Sequence, residues 1–208
     1  MPRLMDMGLD KLNSLLLEMA TMSENAVASA IEAYEKGHKA TQVREWAEHL
    51  QMLHRQVSDL SMEVIARYQP VASDLRLIKA CFEISYGFFR YGRYAKDIVE
   101  VLDMFGDLSK CDHTVVAETA QKTQEMIRMS IDAFARRDVA LARRVPRMDD
   151  FVDDRYRKHL RGVMDRKGDQ RCSLSAVLIL RYLERISDHA TYIAESVDYI
   201  VTGVEPLG

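Results

Sequence analysis

The chain has 208 residues, 48% of them hydrophobic, which is enough for one sizeable core and excludes a disordered chain. Only 9 Gly and 4 Pro occur, too few for a turn-rich β fold of this length. The formal net charge of -3 supplies no basic field for nucleic acid, and no recognition motif accompanies it.

Turn signals divide the chain into six long helical segments. The first runs from about Leu4 to Lys36 and stops at Gly37-His38, with Leu9, Leu12, Leu16, Met19, Met22 and Val27 recurring at three- and four-residue spacing. The second starts near Thr41, a candidate N-cap, and ends before Gln69-Pro70. Ser73-Asp74 signals the start of the third, which reaches about Leu102 before Phe105-Gly106-Asp107. The fourth covers His113 to Arg136. The fifth covers Val139 to Arg166 and stops at Lys167-Gly168-Asp169. Pro146 falls inside it, so this helix either kinks there or begins there, with the proline in its first turn. The sixth begins at Ser173 and ends at Thr202, with Gly203 as its stop.

The two halves repeat one another. Ile31-Glu32-Ala33-Tyr34 matches Ile131-Asp132-Ala133-Phe134, and Arg90 with Tyr94 to Glu100 matches Arg185 with His189 to Glu195. The reading is therefore an all-α protein of two pseudo-repeated three-helix bundles, residues 1–108 and 109–208. Each copy alone would leave an apolar stripe exposed, so the two should share a core.

Cys81, Cys111 and Cys172 form no CxxC, and their odd number argues against a disulfide framework; reduced thiols are the simplest expectation. The N-terminus shows no signal-peptide core, and the longest aliphatic stretch, Leu174 to Leu180, is too short to cross a bilayer. A cytoplasmic protein is expected.

Function is written most clearly in Arg181 to Ala190. Glu184 and Asp188 stand four residues apart, on one helix face. Asp149 and Asp153 have the same spacing in the preceding helix, with Asp150 and Asp154 extending the acidic run. Four converging carboxylates repel one another unless a cation or protons neutralise them, and hard cations such as Mg²⁺, Ca²⁺ or Mn²⁺, or iron, suit all-oxygen ligands. The competing reading is an ordinary charged face, salt-bridged by Arg181 and Arg185. The pair lies opposite the apolar face of Ile179, Leu183, Ile186, Ala190, Ile193 and Val197 and so outside the core. His189 is rotated away from Asp188 and reads as a histidine of the fold rather than a ligand. The cluster Arg143, Arg144, Arg147, Arg155, Arg157, Lys158 and Arg161 is interleaved with acids and reads as a solvated face.

Glu184-Arg185-Ile186-Ser187-Asp188-His189-Ala190 resembles the E-R-I-x-D-x-A signature of the PhoU family, and Gln69-Pro70-Val71-Ala72-Ser73-Asp74-Leu75-Arg76 resembles its Q-P-x-A-x-D-L-R block. The closing Tyr199-Ile200-Val201-Thr202-Gly203 is also similar, so the resemblance spans nearly the whole chain. It implies a cytoplasmic, metal-binding regulatory adaptor of a phosphate-specific ABC transporter, restraining phosphate uptake and the phosphate-starvation response. It also implies multinuclear clusters on acidic motifs in both repeats, with iron or zinc as the metal. The implied partners are the transporter's ATPase subunit or a phosphate-sensing kinase. Contact with the membrane would come only through such a partner, and a homodimer is compatible with the reading.

The first repeat departs from this pattern. Against Glu184 and Asp188 it offers Phe89 and Arg93; against Asp149 and Asp153 it offers Ala47 and Gln51. Its metal motif reads as erased. Phe82, Tyr86 and Phe89 lie on the outward side of the third helix, either covered by the second or forming a docking patch. A non-enzyme is expected, because no nucleophile–base pair, phosphate loop or nucleotide motif occurs. The alternatives are a carboxylate-bridged dimetal enzyme and a metal-free structural module. The former draws Glu-x-x-His motifs from two helices, which this chain does not supply.

Overall fold

The computed structural model describes residues 4–165 and 169–204. The described residues contain six long helices, one single-turn helix and no strand. They are α1 (Leu4–Lys36), α2 (Gln42–Tyr68), α3 (Ala72–Phe105), α4 (Thr114–Arg136), α5 (Val139–Ala142), α6 (Pro146–Asp165) and α7 (Gln170–Thr202). The expected stop at Lys167-Gly168, and Arg166 before it, lie outside the described residues.

The helices α1, α2 and α3 pack against one another, as do α4, α6 and α7. The two groups meet along α3 and α7, with a smaller contact between α1 and α4. These central helices run antiparallel: Lys79 lies over Tyr199, Gly87 packs on Ile193, and Tyr94 stacks on Tyr182. At about 1.5 Å per residue the seam extends over tens of ångströms. The apolar stripe read from α7 is its buried face: Ile179, Leu183, Ile186, Ala190, Ile193 and Val197 are all fully buried. In α1, Leu12, Leu16, Met19 and Val27 are buried, while Leu9 and Met22 pack partly buried against the same core. That core is continuous through both groups of helices, as the exposed stripes of the isolated units require.

Several helix ends differ from the sequence reading. Pro146 does not kink a long helix; it opens α6, where its missing N–H is harmless. The preceding turn, α5, is a separate piece capped by Asp138, whose side chain accepts from the Leu141 N–H. The last long helix begins at Gln170, three residues before Ser173, because the Asp169 carboxylate caps it through the N–H groups of Arg171 and Cys172. The third starts at Ala72, so Ser73 and Asp74 sit inside its first turn rather than capping it. Thr41 occupies the N-cap of α2 without a side-chain bond.

The cysteines correct the expectation of reduced thiols. Cys81 is free and buried, but Cys111 and Cys172 form a disulfide with their Cα atoms 5.5 Å apart. Sixty-one residues separate them in sequence. Only the docking of the α3–α4 linker against the first turn of α7 brings them together. Arg171 holds that docking too, donating to the carbonyls of Phe105 (2.6 Å) and Asp107 (2.8 Å).

Candidate metal centre

α6 and α7 pack side by side, and their facing turns carry the four carboxylates. Glu184 and Asp188 were expected opposite the core, and α7 does point them away from it. The cover comes from α6: the side chain of Glu184 is only 12% exposed and that of Asp188 26%, against 22% for Asp153. The site is therefore a half-buried cleft rather than an open charged face.

Burial sets the electrostatics. The Glu184 carboxyl is pushed above the ordinary carboxylate range by burial first, then by the negative charge of Asp188. Asp188 is raised by burial and by Asp149; Asp149 is raised by burial, Asp153 and Asp150, with Ser187 and Arg157 opposing. The charge of Asp153 acts on the other three, Asp149 on Asp188 and Asp188 on Glu184, which links all four in one electrostatic cluster. Asp149 Oδ1 and Glu184 Oε2 are buried with no hydrogen bond, and Arg185 Nε lies 4.0 Å from the latter. A buried carboxylate oxygen without a hydrogen bond is costly unless a proton or cation meets it.

Arginines take up part of the charge. Arg181 binds Glu184 Oε1, Arg157 Nη2 lies 2.5 Å from Asp153 Oδ2, and Arg185 Nη1 lies 3.9 Å from Asp188 Oδ2. Their side chains are 36%, 63% and 47% exposed, so each arginine reaches its half-buried carboxylate from the solvent side. With the side chains so engaged, no group of three or more His, Cys, Asp or Glu among the described residues stands ready-converged on an ion. Carboxylates are the ligand type that hard and borderline cations take, and two of these four, on adjacent helices, carry a buried oxygen without a hydrogen bond.

The corresponding place in the first repeat is built differently. Gly92 of α3 comes so close to α2 that a Cβ added to it would lie 3.4 Å from the Ala47 Cα. Ala47 is buried there, and no carboxylate replaces it. Phe89 stacks on His54 of α2, with ring centroids 5.7 Å apart and planes 6° apart, and His54 Nδ1 sits 2.9 Å from Ser85 Oγ. Arg93 is paired with Asp97 on its own helix at 3.1 Å. The outward aromatics are thus divided between the two readings: α2 partly covers Phe89, while Tyr86 stays 43% exposed.

Sequence reasoning did not find His54, nor the aromatic seam joining the repeats. His189 lies against Tyr86, Tyr94 and Tyr192, and Arg90 lies over the rings of Tyr86 and Tyr94. Desolvation, then the charges of Arg90 and Arg185, lowers the His189 imidazole to about 4, which keeps the ring neutral among these aromatics. The basic cluster around α6 is largely ion-paired: Arg143 with Asp198, Arg155 with Glu118, Lys158 with Asp154.

A family model described as the PhoU domain matches residues 16–102 and again 116–197. A protein from Pseudomonas putida named as a phosphate-specific transport system accessory protein PhoU homolog is 33% identical over 205 residues, covering 95% of this chain and 80% of its own. A homolog of the same name from Synechocystis is 30% identical, covering 95% and 91%. The crystal structure of PhoU from Pseudomonas aeruginosa superposes with a TM-score of 0.89 at 33% identity, over 96% of this chain and 99% of that one. The phosphate transport system regulatory protein PhoU from Streptococcus pneumoniae shares the fold, with a TM-score of 0.75 at 19% identity and coverage of 97% and 99%. With both halves matched by the family model, and relatives of 30% identity or more aligned over nearly its whole length, the chain belongs to the PhoU family.

Proposed function

We propose that this protein is a regulatory adaptor of phosphate transport, not an enzyme, and that it restrains phosphate uptake through a phosphate ABC transporter. The names of its relatives support the setting. Its partner would be the transporter's ATPase subunit or a phosphate-sensing kinase. Among the described residues no helix is long and apolar enough to cross a membrane, in keeping with attachment through such a partner on the cytoplasmic side. The one Glu-x-x-His run, Glu35-Lys36-Gly37-His38, is broken by Gly37 at φ 70, after the end of α1, so the ligand pattern of a dimetal oxidase is missing.

The adaptor is asymmetric in this reading. Residues 109–208 hold the metal and residues 1–108 do not. Asp149, Asp153, Glu184 and Asp188 would hold the ion or ions, iron or zinc by family and Mg²⁺, Mn²⁺ or Ca²⁺ by ligand chemistry. A bound cation would offset the mutual repulsion and join α6 to α7. The observation that carries the reading is the pair of buried oxygens of Asp149 and Glu184 that make no hydrogen bond inside an acidic cluster.

Elemental analysis of protein purified without chelator tests it. The wild type should retain metal, Glu184→Ala with Asp188→Ala should lose essentially all of it, and Arg93→Ala should retain it. Metal persisting in the double variant, or lost with Arg93→Ala, would place the ion elsewhere. Pull-down with the transporter's ATPase subunit from phosphate-rich and phosphate-poor cells tests the adaptor role; no enrichment in either condition refutes it.

A further inference from the structure

We propose that Cys111 and Cys172 are a reversible thiol–disulfide couple, open to exchange with low-molecular-weight disulfides, that fastens the linker between the two repeats to the first turn of α7. The two sulfurs come from separate parts of the chain and meet at one surface junction. Both cysteines are partly exposed, whereas Cys81 is buried and its thiol is pushed up to about 12, mainly by burial. A small disulfide in solution therefore reaches the first two and not the third.

The junction does not depend on the bond for its geometry. Arg171 ties the first turn of α7 to the carbonyls of Phe105 and Asp107, and Asp169 caps the same turn. With the bond opened, these contacts still hold the first turn of α7 against the start of the linker, near the 5.5 Å Cα spacing of the closed form. That spacing sits inside the usual range for a disulfide, so closure requires no movement of the backbone.

The two cysteines are not equivalent. Cys172 is the third residue of a 33-residue helix, so the positive end of the helix stabilises a thiolate on it. The Asp169 carboxylate opposes this through Oδ2, 3.5 Å from the sulfur, while its Oδ1 accepts from the N–H groups of Arg171 and Cys172. Cys111 lies outside any helix, in the linker after α3. Cys172 is accordingly the attacking thiol. Its thiolate forms a bond to one sulfur of glutathione disulfide and expels one glutathione thiolate. The Cys111 thiolate then attacks the Cys172 sulfur and expels the second. Two electrons pass from the cysteine pair to the small disulfide, and the two cysteine protons end on the two departing thiolates.

The test uses the full chain equilibrated in glutathione buffers from fully reduced to fully oxidised. It is quenched in acid, denatured and labelled with a maleimide that shifts each free thiol on a gel. The expected result is a two-thiol step, from three labelled cysteines to one, within the monomer, and its reversal by excess reduced glutathione. Cys111→Ser should accumulate a mixed disulfide at Cys172, and Cys172→Ser should acquire one at Cys111 about tenfold more slowly. Failure to close, closure only between chains, a bond that reduced glutathione never opens, or equal rates in the two variants would each overturn the proposal. Mass spectrometry of the wild type identifies the bonded cysteines without any substitution.

Discussion

Gly87→Ala should destabilise the protein and Gly162→Ala should not, although both replace a glycine within a helix. Gly87 sits in the α3–α7 seam, where an added Cβ would lie 2.8 Å from both Cγ1 and Cδ1 of Ile193 and 3.7 Å from the His189 carbonyl oxygen. Ordinary carbon contacts need about 3.5–4.0 Å, so α7 or the Ile193 side chain must retreat by roughly 1 Å. Ile193 is fully buried, so it cannot swing out into solvent. Overpacking of this kind costs about 1–3 kcal/mol, while the higher helix propensity of alanine returns about 1 kcal/mol. The net loss is about 0–2 kcal/mol, centred on about 1 kcal/mol, which is about 2–4 °C in a domain of this size. At Gly162 nothing lies within 4 Å of the added methyl. Only the propensity gain remains there, reduced near the end of α6 to about 0.5 kcal/mol. Thermal unfolding of the two variants, oxidised and metal-free, reads the difference directly. A double-mutant cycle with Ile193→Ala sharpens it: the two changes should together cost about 1 kcal/mol less than their sum, because the new methyl enters the space the isoleucine leaves. Equal shifts at Gly87 and Gly162, or additivity with Ile193→Ala, would show that the seam is not closed by this contact.

Asp188→Asn should raise the melting temperature of the metal-free protein and lower its metal content, since the carboxylate is held in a half-buried cluster of like charge; a lower melting temperature in chelator would refute the repulsion. His54 is kept neutral by burial and the nearby Arg55, so its folded value is depressed. Its unfolded form takes up a proton first as pH falls below about 6.5, and stability is lost from there down through the folded value. His54→Phe, which keeps a ring against Phe89, should show a smaller loss between pH 7 and 5, and an unchanged pH slope would exclude His54 as its source. Opening the Cys111–Cys172 bond frees a loop of 61 residues in the unfolded chain, so oxidised wild type should exceed Cys111→Ser in denaturant stability by about 4 kcal/mol; equal midpoints would show that the bond contributes nothing.

The sequence by itself determined the helices, because their evidence is local. A 3.6-residue apolar period in α1 and α7 and Gly203 after Thr202 are properties of neighbouring residues, whereas the choice at Pro146 between a kink and a helix start was left to the structure. The spacing of Glu184 and Asp188, and its likeness to that of Asp149 and Asp153, was legible for the same reason. The start of α7 at Gln170 was missed because Ser173 masked the stronger cap at Asp169. Only the tertiary structure decided what each helix face meets. It placed α6 over Glu184 and Asp188, making a half-buried cleft of a face that helical geometry alone leaves to solvent. It set His54 on Phe89 and Ala47 beside Gly92 where the second repeat has carboxylates, and it joined Cys111 to Cys172. Periodicity fixes the direction in which a side chain leaves its own helix. Burial, a raised carboxyl and a disulfide partner depend on atoms contributed by another helix, and the chain order does not contain their distance.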